Sequence, residues 1–276
     1  MVISKHDLET RLPEFAAAAS TLFEKVLPYA NEALTGRTPA EPLGALPAAL
    51  AYAATQKEME ETLKDYAIFE GVRTALPHVD LVVTPTGFGV VSNQNLAPAS
   101  RERVNAVRES LRGLSCAARD RILHAYYTAS PTECVLVFPT PATAAAAGIA
   151  PESGGGLWVK EYFALLPAMR GAQACLAERF SDGFTRAVCA ARYTADEAGR
   201  AALAPVLESF EEYVVTCVME AGRRAKMIER RVYRYLESLP APARRYAEIW
   251  YSSAAREAWV KARYQNTAGS PVFYFG

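Results

Sequence analysis

The hydrophobic pattern of this 276-residue chain is mainly that of amphipathic helices. In six stretches, apolar residues recur every three or four positions, which places them on one face of a helix. Ser4 with Asp7, and Thr194 with Glu197, have the spacing of capping boxes at helix starts. The pattern predicts helices over residues 4–34, with Pro13 or Pro28 as kink sites, and over residues 46–76, 101–127, 167–191, 194–239 and 243–263.

Three short segments have the composition of β-strands instead. Two runs of β-branched residues surround Pro85 and Gly87, which predicts a hairpin whose turn uses the positive φ open to glycine. Residues 134–138 and the uncharged residues 271–275 predict two further short strands. The expected fold class is therefore mainly α, with a β-hairpin insertion near residues 80–92.

The regular pattern is interrupted most strongly between residues 130 and 156, where prolines, an alanine run and three glycines follow one another. Such a stretch is typical of a boundary between units. We therefore predict two helical units, residues 1–150 and 151–276. Placing Leu12-Pro13 on Leu166-Pro167 aligns several identical Ala, Leu and Glu residues, so a tandem duplication of one helical unit is a hypothesis to test.

Composition strengthens the helical prediction, because 51 residues are alanine, the residue with the highest helix propensity. Thirty basic and 30 acidic residues cancel, which excludes a generally basic nucleic-acid coat and a highly charged disordered chain. The charge is nevertheless uneven along the chain. Residues 1–70 hold 6 basic and 11 acidic side chains, a net charge of −5, whereas residues 223–263 hold 11 basic and 4 acidic ones, a net charge of +7.

Arginine dominates the basic C-terminal stretch, and its guanidinium group pairs with carboxylates or phosphates through two parallel hydrogen bonds. Three interpretations stay open: a solvated helix face, a surface that meets the acidic N-terminal part of a neighbouring subunit, and a contact with the phosphates of DNA. The interleaved Glu229, Glu237 and Glu248 weaken the third. The candidate residues for a subunit interface or a DNA channel are Arg223, Arg224, Arg230, Arg231 and Arg234.

The sequence contains no motif for catalysis, for a cofactor or for a metal. The three histidines, His6, His78 and His124, have no metal-ligand partner three or four residues away. There is no Gly-x-Ser-x-Gly elbow, and the glycines at 154–156 are not followed by the lysine of a phosphate-binding loop. Five cysteines without a C-x-x-C pair indicate buried, reduced thiols in a cytosolic protein. Charges near the N-terminus and the lack of a long apolar stretch predict no signal peptide and no membrane span.

Three short segments carry a family resemblance. They are Thr84-Pro-Thr-Gly-Phe-Gly-Val-Val-Ser-Asn93 followed by Leu96-Ala-Pro-Ala-Ser-Arg101, then Val137-Phe-Pro-Thr140, and Phe163-Ala-Leu-Leu-Pro-Ala-Met169. Together they resemble an uncharacterised protein family found in phages and prophages of gut Bacteroidota. The resemblance implies a structural protein of the virion head or neck, such as a head-to-tail connector or a head-completion protein. It also implies contacts with the portal protein and with other neck or tail proteins, and assembly in the host cytoplasm.

We therefore expect a helical virion subunit without enzymatic activity that forms a homo-oligomeric ring. The hairpin and the apolar tail are candidates for contacts with neighbours by strand addition, with packing on their own subunit as the alternative. The residues concerned are Gly87, Phe88, Gly89, Phe273, Tyr274 and Phe275. Three other functions stay open: a capsid-associated or scaffold-type assembly protein, a helical DNA-binding regulator, and an enzyme of unknown reaction. Non-specific contact with packaged DNA is a further expectation.

Overall fold

A computed structural model describes residues 2–36, 44–79, 81–84, 87–90, 101–149, 157–220 and 222–263. In this part of the chain the fold is mainly helical, which confirms the predicted class. The helices are α1 (Lys5–Arg11), α2 (Ala19–Ala33), α3 (Leu46–Ala53), α4 (Glu60–Ala75), α5 (Arg101–Ala129), α6 (Pro141–Ala146), α7 (Leu157–Phe180), α8 (Asp182–Ala191), α9 (Glu197–Met219), α10 (Ala225–Ser238), α11 (Ala241–Arg244), α12 (Glu248–Tyr251) and α13 (Ala254–Arg263). The strands are β1 (Leu81–Thr84) and β2 (Gly87–Val90).

The first predicted helix, residues 4–34, is divided at a proline. Its start is confirmed, because the Asp7 amide donates to the Ser4 hydroxyl (3.2 Å) and the Ser4 amide donates to the Asp7 carboxylate (2.9 Å). α1 ends at Arg11, and its C-cap residue Leu12 has a φ of −134° and a ψ of 68°, outside the helical range, because a residue that precedes proline avoids the helical conformation. The chain then passes through a 3₁₀ turn, Pro13–Ala18, into α2. The predicted helix is therefore interrupted at Pro13, one of its two predicted kink sites, whereas Pro28 lies inside α2.

Residues with positive φ divide two more of the predicted helices. Within residues 167–191, Ser181 (φ 70°) separates α7 from α8, and its hydroxyl accepts a hydrogen bond from the amide of Phe184. Within residues 194–239, Gly222 (φ 74°) follows α9 and precedes α10, in a conformation that glycine adopts without steric cost. Periodicity did not reveal these breaks, because the apolar spacing continues across both of them.

The remaining helix predictions have mixed outcomes. The helix predicted over residues 101–127 is confirmed as α5. The Thr194–Glu197 capping box is wrong, since α9 is capped by Asp196, whose carboxylate accepts a hydrogen bond from the Gly199 amide at 3.1 Å. The helices predicted over residues 46–76 and 243–263 are replaced by shorter ones, α3 and α4 in the first case and α11, α12 and α13 in the second.

The two strands pair with each other in antiparallel orientation, inside the segment for which the pattern predicted a hairpin. Leu81 lies opposite Val90, and Thr84 lies opposite Gly87. β2 lies against the 3₁₀ turn Pro13–Ala18. The described backbone of the hairpin is therefore supported by its own chain.

The strand predicted over residues 134–138 is wrong. Side chains, rather than a neighbouring strand, satisfy this backbone: the Val137 amide donates to the Gln173 side chain (2.8 Å), whose amino group donates to the Val135 carbonyl (2.5 Å). Arg192 donates to the carbonyl of Val137 at 2.8 Å. Burial accounts for Val137, which is 1% exposed, but not for Val135, which is 39% exposed. The strand predicted over residues 271–275 lies outside the described residues.

Contacts divide the chain into two compact units. The first consists of Met1–Ala129 and Thr140–Leu165, and the second of Ser130–Pro139 and Leu166–Gly276. The two units do not meet at a single boundary at residue 150, as predicted, because the segment that begins at Ser130 belongs with the second unit. Independent folding of the two units stays a prediction.

The structure does not support the proposed duplication at the two Leu-Pro pairs. Leu12 is the C-cap of α1, and Pro13 begins a 3₁₀ turn. Leu166 and Pro167 lie inside α7 instead, more than one turn from either end. The aligned prolines therefore do not start equivalent helices.

In the first unit, α2 and α4 approach each other closely at Gly71. A Cβ atom placed on Gly71 would lie 2.8 Å from both the Cβ and the amide nitrogen of Ala30. Leu22, Val26 and Val72 are buried in the same core. Only a residue without a side chain fits this helix contact without moving the backbone.

We expect Gly71→Ala to lower the free energy of unfolding by about 1–3 kcal/mol, the usual cost of overpacking a core. Gly171→Ala is the matched control, because nothing lies within 4 Å of its Cβ position on α7. The control is expected to stabilise its helix by about 0.5–1 kcal/mol, the difference in helix propensity. Urea denaturation followed by circular dichroism measures both. Equal effects of the two substitutions would contradict the close packing.

The second unit is built around an aromatic core. Phe180 lies 5.3 Å from Phe210 and 4.6 Å from Tyr233, measured between ring centroids. Trp250 of α12 is fully buried and lies 6.4 Å from the ring of Tyr233. These contacts fix α7, α9, α10 and α12 to one another and so determine which face of α10 is exposed.

Candidate subunit-interaction surface

Helix α10 has one apolar face and one cationic face. Ile228, Val232 and Leu236 are buried at helical spacing, and the helix packs on α9. On the opposite side, Met227 is 57% exposed among basic residues. The five arginines predicted from the sequence lie on α10 or just before it.

Two of these arginines pair with carboxylates of their own chain. Arg224 donates to Glu220 at 2.7 Å and lies 3.7 Å from Glu212, and Arg231 pairs with the same Glu212. The hydrogen bond from Arg224 also lowers the pKa of Glu220. Arg224 and Arg231 therefore have internal partners and are poor candidates for a contact with another molecule.

Four other cations point outward without such partners. In the part of the chain that the structure describes, none of them forms an ion pair, and all four side chains are exposed. We call this set the basic face: Arg223, Lys226, Arg230 and Arg234. The sequence identified the three arginines, and the structure adds Lys226.

A groove of about 520 Å³ adjoins the basic face in the second unit. Tyr233 and Trp259 line it with rings that stack at 4.8 Å. Arg179 and Glu229 form an ion pair at 3.7 Å among its lining residues. The other lining residues are Glu178, Lys226, Arg230, Ala255, Ala258 and Ala262. Its two aromatic residues and two arginines are of types enriched at protein–protein interfaces, whereas alanine, lysine and glutamate are depleted there.

Some of the acidic residues in the N-terminal part form ion pairs inside the first unit. Arg11 binds Asp65 (2.8 Å), Glu61 (2.5 Å) and Asp7 (3.3 Å). Other carboxylates are exposed and form no ion pair within the described residues. We call them the acidic set: Glu14, Glu24, Glu32 and Glu58.

The neighbour contacts predicted for the hairpin and the tail stay predictions. Gly87, Phe88 and Gly89 lie in β2, of which the structure describes the backbone. Phe273, Tyr274 and Phe275 lie outside the described residues.

Periodicity did not predict a buried charged cluster in the first unit. Glu70 is 4% exposed and accepts hydrogen bonds from Arg73 (2.8 Å, with a second, shorter bond) and from the Ser115 hydroxyl (2.9 Å). Burial alone raises the pKa of Glu70, but the hydrogen bonds and the charge of Arg73 outweigh it, so the pKa lies below its usual value. The sequence feature that could have predicted this cluster is a glutamate inside the apolar run Ala67-Ile-Phe-Glu-Gly-Val72.

The cysteines are mainly core residues. Cys116, Cys134 and Cys189 are buried, as predicted, whereas Cys175 is exposed. Burial raises the pKa of Cys134 to about 11, so its thiol is a weak nucleophile. Within the described ranges no group of three His, Cys, Asp or Glu side chains is arranged to hold a metal ion. A search of the same residues finds no helix that is long and apolar enough to span a membrane.

Part of the first unit is similar in sequence to a known family. Residues 16–116 match a family of unknown function, DUF6712. The match covers somewhat more than a third of the chain, from the turn before α2 into α5, and leaves out the basic face. No curated protein and no solved structure matches the chain.

Proposed function

We propose that this protein is a structural subunit of a phage particle that assembles into a homo-oligomeric ring, as a head-to-tail connector or head-completion protein. The observation that carries the assembly is the exposed basic face of α10, whose four cations have no ion-pair partner in the described chain. The carboxylates of the acidic set in the first unit are likewise exposed and have no ion-pair partner in the described chain. In the ring, the basic face of one copy contacts the acidic set of the next.

Such a contact joins two different surfaces and is therefore heterologous. Heterologous contacts build closed rings when the rotation between copies closes, and filaments when it does not. Complementary charge also accelerates encounter and fixes the register of the partners. The stacked rings of Tyr233 and Trp259 in the groove beside the basic face supply an aromatic contact next to the charges.

The proposed place in the virion is based on the sequence resemblance, not on the basic face or the acidic set. Its short segments are those at residues 84–101, 137–140 and 163–169. In this proposal the partners are the portal protein and other neck or tail proteins, and the ring assembles in the host cytoplasm before it joins the virion. A capsid-associated or scaffold-type subunit would use the same self-association.

A DNA-binding regulator and an enzyme are weaker alternatives. A regulator would need a continuous basic face with carboxylates turned away, but Glu212 and Glu220 lie beside Arg224 and Arg231, and Glu229 lies beside Arg179. These carboxylates oppose the approach of phosphates. Among the residues that the structure describes, no particular arrangement of side chains favours an enzyme.

Mass measurement combined with negative-stain microscopy of the purified full-length protein tests the proposal. We expect discrete multimers at low salt, visible as rings, whose mass falls when added salt screens the charges. Pull-down with the portal protein of the same phage tests the place in the particle. A monomer at all salt concentrations that binds no virion protein would contradict the proposed function.

A further inference from the structure

Three arginines of the second unit line one open pocket of about 500 Å³. Arg244 is the last residue of α11, Arg245 begins the 3₁₀ turn that follows it, and Arg256 lies on α13. Tyr251 and one carboxylate, Glu248, complete the lining. The volume falls within the range of about 300–1,000 Å³ that is common for ligand pockets.

Aromatic rings hold two of the guanidinium groups in place. The Arg244 guanidinium lies 5.6 Å from the centroid of the Tyr251 ring. The Arg256 guanidinium lies 5.3 Å from the same ring and 5.5 Å from that of Trp250. Such cation–π contacts fix the planes of both groups and reduce the entropy that a ligand must remove.

Hydrogen bonds hold the same two side chains through a single nitrogen each. Nε of Arg244 donates to the Leu239 carbonyl (3.1 Å), and Nε of Arg256 donates to Glu237 (3.3 Å). Within the described chain, no carboxylate forms an ion pair with Arg244 or Arg245. A guanidinium group has five N–H donors, so most donors of this cluster are left for another partner.

The donors and charges of this pocket suit a phosphate better than a carboxylate. Three cations stand against the lining carboxylate of Glu248 and the carboxylate of Glu237 that pairs with Arg256, so a net charge of +1 remains and the pocket favours an anion. A carboxylate has two oxygens in one plane and is satisfied by one guanidinium fork, whereas the tetrahedral oxygens of a phosphate accept from several forks. We propose that Arg244, Arg245 and Arg256 form a phosphate-binding site, for the phosphate of a nucleic-acid backbone or of a small phosphorylated molecule. The site uses none of the residues of the basic face, so it stands independently of the proposed ring.

Isothermal titration of inorganic phosphate into the full-length protein, at constant ionic strength with chloride as the balancing anion, tests the site. We expect one saturable site, which Arg244→Gln and Arg256→Gln each weaken by about tenfold or more through the loss of charge-assisted hydrogen bonds. Arg256→Lys keeps the charge without the fork and should lie between wild type and Arg256→Gln. Lys25→Gln, which removes one exposed cation from the first unit, should bind phosphate as wild type does. Circular dichroism checks that each variant is folded.

A second arm of the experiment distinguishes the sources of the phosphate. A fluorescein-labelled oligothymidylate that binds more tightly than inorganic phosphate, and is weakened by the same two substitutions, assigns the site to a nucleic-acid backbone. Binding of inorganic phosphate without such an effect on the oligonucleotide assigns it to a small phosphorylated molecule. No saturable phosphate binding, or binding that Arg244→Gln and Arg256→Gln leave unchanged, would overturn the site.

Discussion

Glu70→Ala is expected to lower the free energy of unfolding by about 3–5 kcal/mol, the usual cost of removing one partner from a buried ion pair. The substitution removes the carboxylate that pairs with Arg73, which is 8% exposed in the core of the first unit. It also removes the acceptor of the Ser115 hydroxyl. Urea denaturation monitored by helical circular dichroism measures the loss.

Controls separate the ion pair from the loss of a side chain. Glu60→Ala, at a half-exposed position of the same helix, should change stability by less than about 0.5 kcal/mol. The double substitution Glu70→Leu with Arg73→Leu should cost less than Glu70→Ala, because no uncompensated charge remains in that pair. If Glu70→Ala cost no more than Glu60→Ala, the cluster would not contribute to stability.

The same carboxylate predicts a pH dependence. The pKa of Glu70 is lowered from its ordinary value of 4.5 when the chain folds. In acid the unfolded chain therefore binds this proton first, and the stabilisation, which is full above pH 4.5, is lost as the pH falls through the folded pKa. Glu70→Gln should remove this part of the acid destabilisation. A wild-type curve parallel to that of Glu70→Gln below pH 4.5 would contradict the lowered pKa.

Reversal of the basic face is expected to weaken self-association by a factor on the order of 100 at low salt, because like charges then face each other across the contact. The variant carries Glu at four positions: Arg223, Lys226, Arg230 and Arg234. All four side chains are exposed, so the fold should be retained. Sedimentation velocity over a range of protein concentrations measures the association.

The matched control reverses four other exposed cations of the second unit to Glu: Arg170, Arg186, Arg200 and Lys261. It has the same net charge as the variant with a reversed basic face, so a general effect of charge would appear in both. We expect the control to assemble nearly as wild type does. Equal losses in the two variants would show that the position of the basic face is irrelevant.

Local signals in the sequence predicted part of this architecture. The Ser4 and Asp7 capping box, the long helix α5 and the excess of arginine near α10 depend on neighbours within a few residues, and all three are present in the structure. Apolar spacing also indicates the buried face of α10, since Ile228 and Val232 lie four residues apart and both are buried.

Contacts between residues that are far apart in the chain could not be predicted from the sequence. Which arginines of α10 are engaged depends on Glu212, 19 residues before Arg231 in the sequence and on another helix. The backbone of residues 135–137 has a strand-like composition, but Gln173 and Arg192 satisfy it from other helices. The burial of Glu70 likewise depends on Ser115, 45 residues away. Single-residue breaks such as Ser181 are also invisible to periodicity.

The proposed ring depends on a contact between two different surfaces, and mixing two neutralised variants tests that contact directly. One variant carries Gln in place of the four cations of the basic face, and the other carries Gln in place of the acidic set, Glu14, Glu24, Glu32 and Glu58. Each retains one intact surface, so each should be monomeric at a concentration at which wild type assembles. Sedimentation velocity of their equimolar mixture at low salt should then show a one-to-one dimer and nothing larger. A mixture that stays monomeric, or either variant assembling by itself as wild type does, would contradict the account.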